Sequence, residues 1–96
     1  MQLEIITPES KIFNGEADAV QFPGLDGSFQ VLNNHAAVIS ALSEGVVKVN
    51  LTNVFEVDDD TNPLIETDKS NNKVIRVNIK GGVMEMLNNK VIVLAE

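Results

Sequence analysis

The chain's 96 residues suffice for one small core and leave no room for a second. Fourteen acidic side chains against seven basic ones give a formal charge of −7, and acids neighbouring Lys48, Lys69, Lys73, Arg76 and Lys80 offset the basic residues that do gather in one half, so nucleic acid is not an expected partner. The absence of cysteine excludes disulfides, thiolate nucleophiles and sulfur-ligated metals.

The opening, MQLEIITPES, lacks a basic segment followed by an apolar core. No apolar run approaches the roughly 18 residues of a membrane span, so neither a leader nor direct membrane insertion is expected. Taken in chain order, QLEII predicts a first strand, NGE a turn and ADAVQF a second strand. SFQVL follows between Gly27 and the Asn33-Asn34 pair. Pro23, Gly24, Gly27, Asn33 and Asn34 are turn formers, and they predict two successive turns that expose a polar bend with Asp26, Ser28, Asn34 and His35 on its rim. The stretch NNHAAVISALSEG is the one place where helical spacing occurs, at Val38, Ala41 and Leu42, although its β-branched residues and Gly45 equally allow a strand.

In GVVKVNL, the residues Val47, Val49 and Leu51 share one face while Lys48 and Asn50 share the other. VIRVNIK repeats the pattern with Ile75, Val77 and Ile79 inward and Arg76, Asn78 and Lys80 outward. Between these strands, expected over Val46 to Val57 and Lys73 to Lys80, residues 55–72 break the rhythm. There FEVDDDTNPLIETDKSNN carries all its acids before Lys69 and reads as a long solvated excursion of a single domain spanning 1–96. VMEML and VIVLA end the chain, joined through Asn88-Asn89, residues that tolerate the left-handed conformation of a tight hairpin. Val91 to Ala95 is apolar on both faces. Either Ile92 and Leu94 meet a partner, or the strand lies centrally among side chains of its own domain. Roughly eight to ten short strands at this spacing predict an all-β fold, an antiparallel two-sheet sandwich or flattened barrel.

Residues able to carry chemistry are few. Asp58, Asp60 and Asn62 alternate as the first ligands of a calcium loop do, but Pro63 stands where glycine is required and Lys69 where the bidentate Glu belongs. His35 has no nucleophile elbow or further strong metal ligands around it, and is expected to anchor its loop by donating to a backbone carbonyl. Gly81-Gly82 lacks dinucleotide-loop spacing and predicts a bulge or a crossing too crowded for a Cβ. No catalytic residue, cofactor or metal is expected; the rival to a protein-docking module is a small-ligand or carbohydrate-binding sandwich, against which the scarcity of aromatics argues.

Several short patterns occur in order: Ile5-Ile6-Thr7-Pro8-Glu9, Phe13-Asn14-Gly15-Glu16, the bend from Pro23 to Ala37, Gly81-Gly82-Val83-Met84-Glu85, and Val91 to Ala95. Together the chain resembles the β-sandwich part of the epsilon subunit family of F-type rotary ATP synthases. That resemblance implies a non-catalytic subunit of the rotating central stalk, coupling proton-driven c-ring rotation to ATP synthesis. It would be peripheral at the cytoplasmic face of a bacterial inner membrane, partnered by the gamma subunit and the c-ring and monomeric when isolated. Carried over by position, Asp26, Gly27, Ser28, Asn34, His35, Gly81 and Gly82 would lie at the c-ring, and Val91, Ile92, Val93 and Leu94 would meet gamma. Asn33, Asn34 and Ala37 replace residues that are often Pro, Gly and Pro in the family, and Ser28 replaces one that is frequently acidic. With no C-terminal helical hairpin after Val91 to Ala95, neither helix-mediated inhibition nor a nucleotide site is expected.

Overall fold

The computed structural model describes residues 1–96 and consists of strands alone: β1 (Gln2–Ile6), β2 (Lys11–Gly24), β3 (Gly27–Leu32), β4 (Val38–Leu42), β5 (Gly45–Leu51), β6 (Ile65–Thr67), β7 (Val74–Ile79), β8 (Gly82–Leu87) and β9 (Lys90–Ala95). The number of strands and most of their boundaries match the alternation in the sequence. β2 is the exception in length. It runs unbroken through Asn14, Gly15 and Glu16, where a turn was expected, because β1 pairs with those residues directly, Gln2 opposite Glu16 and Glu4 opposite Asn14.

The register of β2 shifts between Ala17 and Ala19. Its first half pairs with β1 and its second half with β3 and β5, so one bent strand serves both layers of the sandwich. One layer is completed by β9, β8 and β4; the other continues through β5, β7 and β6. All pairings are antiparallel except β1 with β9, which run parallel. No hairpin joins these two strands, so turn geometry does not dictate their direction.

The interior is built from alternate residues of both layers. Leu3, Ile5, Met84, Met86, Val91 and Val93 face Val20, Phe22, Val31, Val47, Val49 and Val77 in one apolar cluster. Phe22 is fully buried and packs on Phe29 with ring centroids 5.4 Å apart. As expected, Ile75, Val77 and Ile79 of β7 lie inside with Val47, Val49 and Leu51 of β5, and no polar or charged residue is buried. No helix is long and apolar enough to cross a membrane.

The helical option for Val38 to Leu42 is corrected: these residues form β4, paired along β8 with Val38 opposite Met86 and Leu42 opposite Gly82. A local 3.6-residue spacing yields to the ladder that a waiting strand offers. The strand expected over Val46 to Val57 stops at Leu51, since its partner β7 begins at Val74, opposite Asn50.

The neck of the excursion is fastened at both of its ends. The Phe55 N–H donates to the Asn72 carbonyl at 2.8 Å, and the Phe55 ring packs on Phe13 with centroids 6.4 Å apart. Within it β6 adds a short edge strand to β7, and Asn78 donates to Glu66 at 3.0 Å. The Asp68 carboxylate accepts from the Ser70 hydroxyl at 2.7 Å and from Arg76 at 2.8 Å. The Ser70 hydroxyl first, then the Arg76 guanidinium, hold this carboxyl well below the ordinary aspartate value of 3.8. A depressed folded-state pKa gives a contribution that is full above the ordinary value and shrinks as the pH falls through it towards the folded one. Asp68→Asn is therefore expected to loosen β6 at neutral pH, read as faster hydrogen exchange at Ile65 and Thr67, and acidification below 3.8 is expected to do the same to the parent chain. Unchanged exchange in the variant would show that the neck alone holds the excursion.

Candidate functional site

Strand alternation gives the β1–β9–β8–β4 layer an outer face as well as an inner one. On the inner side lie Leu3, Ile5, Val91, Val93, Met84 and Met86. The pairing register fixes what faces outward. Ala41 lies opposite Val83, Val83 opposite Leu94, and Leu94 opposite Ile6, an apolar row crossing all four strands. At about 4.8 Å between strands this row is about 14 Å long. Parallel to it runs a second row, Ile39, Glu85, Ile92 and Glu4. Ile39 is 70% exposed and Leu94 56%, although neither has a structural reason to face water. Shallow hollows lie between these side chains, one lined by Ile39, Val83, Ile92 and Leu94 around Glu85, another by Ile6, Thr7, Pro8 and Leu94.

Of the residues that the resemblance assigned to gamma, only Ile92 and Leu94 reach this face. Val91 and Val93 are fully buried and belong to the core, because successive side chains of a strand point to opposite sides. The sequence reading missed Ile39, Ala41, Val83 and Ile6. The signal for part of the set was present in VMEML, whose Val83 and Leu87 alternate with Met84 and Met86 and so cannot share a side with them.

The bend residues do not form one rim. β3 separates its two turns by six residues, about 20 Å at strand rise. Asp26, Gly27 and Ser28 lie at one end of the sandwich, where the Ser43 N–H donates to the Pro23 carbonyl at 2.8 Å and Leu42 lies opposite both Gly24 and Gly82. Gly81 and Gly82 share this end, although Gly81 is buried. Asn34 and His35 lie at the other end, beside the β8–β9 turn, where the Asn34 N–H donates to the Asn89 side chain at 2.7 Å. The expectation of a single end holding all seven residues is corrected on this geometry. His35 is exposed, and its Nδ1 donates to the neighbouring Ala36 carbonyl at 2.7 Å, the loop-anchoring contact expected of it. The Asp58 carboxylate is occupied in its own turn, accepting from the Asp60 N–H at 2.9 Å and from Thr61 at 3.3 Å.

Comparison with known proteins bears on this arrangement. Residues 1–57 match the family described as the ATP synthase delta/epsilon chain β-sandwich domain. The ATP synthase epsilon chain of Chlorobium limicola is 36% identical over 95 residues, covering 99% of this chain and 88% of that protein. That of Salinibacter ruber is 34% identical over 96 residues, and the chain spans 58% of its length. In three dimensions the fold is similar to a chain in the cryo-EM structure of the central stalk and c-ring of the Tetrahymena thermophila mitochondrial ATP synthase. The TM-score is 0.66 at 16% identity, covering 99% of this chain and 62% of that one.

Proposed function

The chain belongs to the ATP synthase delta/epsilon family through its β-sandwich domain, and on that footing we propose that it is a non-catalytic rotor subunit that passes c-ring rotation to gamma. The observation that carries this reading is the row Ala41, Val83, Leu94 and Ile6, held in register on the outside of a layer whose inside is already core. A layer of four strands held in register offers a docking surface with little conformational entropy left to lose. Gamma covers this face, and a lasting assembly buries more than about 1,000 Å² there in total.

Asp26, Gly27 and Ser28, with the Gly81-Gly82 crossing behind them, face the c-ring. Asn34 and His35 sit at the opposite end and play no part in that contact. The subunit works as a peripheral part of the ATP synthase at the cytoplasmic face of a bacterial inner membrane. Torque enters at the Gly24–Gly27 turn and leaves through the face, and the bent strand β2 connects the two by serving both layers.

Because the chain has no cysteine of its own, engineered thiols report contacts without background. In the assembled synthase, Ser28→Cys is expected to form a disulfide with a cysteine placed in the polar loop of the c-ring, and His35→Cys is not. Cross-linking at position 35 and none at 28 would reverse the orientation. Failure of the chain to co-purify with gamma would remove the rotor reading altogether.

A further inference from the structure

Glu85 stands in the middle of the apolar face with no partner of its own. It lies opposite Ile39 on one side and Ile92 on the other, and Val83 and Leu87 precede and follow it on the same side of β8. Its carboxylate is exposed, enters no ion pair and accepts no hydrogen bond. Glu4, in the same row on β1, differs: it is paired with Lys11 at 3.2 Å. Lys90 is the basic residue nearest along the face, sharing a shallow hollow with Glu85 but lying opposite Leu87 and outside ion-pair range.

Covering this face with protein strips water from the Glu85 carboxylate. An ionised carboxylate shut into apolar surroundings is strongly unfavourable unless a cation meets it. From the reading that gamma covers the face, we infer that gamma seats an arginine on Glu85. Arginine fits the surroundings better than lysine. Its planar guanidinium can lie between Ile39 and Ile92 while donating two parallel hydrogen bonds to one carboxylate, and it is the more weakly hydrated cation. The apolar row then supplies adhesion, and the Glu85 contact fixes how the two subunits are aligned, since a slip of one residue sets the carboxylate against apolar surface.

The test is calorimetric titration of the chain with gamma from the same organism at low and at high salt, using Glu85→Gln, Leu94→Asp and Lys90→Met beside the parent. Glu85→Gln is expected to weaken binding about 30-fold and to flatten its salt dependence, while Lys90→Met changes neither. Glu85→Gln binding like the parent while Leu94→Asp does not would overturn the arginine and leave the face standing. A loss in Lys90→Met equal to that in Glu85→Gln would overturn it as well, by showing that the chain's own lysine neutralises the carboxylate. If Leu94→Asp and Glu85→Gln both bind like the parent, gamma does not dock here and the inference falls with the reading it rests on. Unchanged melting temperature in Glu85→Gln, at an exposed position, excludes misfolding as the cause of a loss.

Discussion

Leu94→Asp is expected to abolish retention of gamma, with affinity falling about 100-fold or more, or about 2.7 kcal/mol at the least, while the sandwich stays folded. Leu94 lies between Val83 and Ile6 in the apolar row, so the change removes an anchor and leaves a carboxylate to be buried without a cation. In the free chain the cost is small. The side chain already meets water over 56% of its surface, and only the poorer strand propensity of Asp counts, about 1 kcal/mol. At about 4–8 °C per kcal/mol for a domain of this size, the melting temperature falls by no more than about 8 °C. Leu32→Asp is the matched control. Leu32 is 55% exposed, almost the same as Leu94, but it lies on β3 in the other layer. Full gamma binding by Leu94→Asp, or an equal loss in both variants, would show that exposure of a leucine and not this face governs the association.

The contrast between those two leucines shows what was legible in the sequence. Alternation told which residues of GVVKVNL and VIRVNIK turn inward, and the sandwich interior follows it closely. The Asn88-Asn89 turn was legible as well, with φ of 50° and 59° at the two asparagines. Both depend on short-range physics, the pleat of a strand and the few residues that tolerate positive φ. What the sequence did not reveal depends on partners distant in the chain. Asn14 to Glu16 would turn if β1 were not beside them, and Val38 to Leu42 extends because β8 lies alongside. The outer face is of the same kind. Ile92 and Leu94 stood out within one run, but Ile39, Val83 and Ile6 become a surface only through the register of four strands, which nothing local encodes. The separation of His35 from Asp26 is set by the length of β3, which the sequence did supply, and the reading of two successive turns as one bend passed over it.

Gly82→Ala is expected to destabilise the chain strongly, and it joins the fold to the face. Gly82 opens β8 at φ 143°, a region that side chains with a Cβ avoid, and a Cβ there would stand 2.2 Å from the Leu94 carbonyl oxygen. The atom in the way is backbone, so no rotamer change relieves it. β8 and β9 must move apart where Gly82 lies opposite Ala95 and Val83 opposite Leu94. Backbone strain of about 1–3 kcal/mol adds to about 1–3 kcal/mol of overpacking, a large share of the about 5–15 kcal/mol that holds a domain of this size together. Gly27→Ala separates the two causes. Gly27 also has a positive φ, 119°, but open space surrounds the site of its Cβ, so only the strain applies. Denaturant melts should therefore place Gly82→Ala well below Gly27→Ala. Because the displaced backbone carries Leu94, the Gly82 variant should also bind gamma less well in whatever fraction remains folded, whereas Gly27→Ala should bind it fully. Equal destabilisation by the two substitutions would show that the β8–β9 crossing yields without cost and does not set the position of the apolar row.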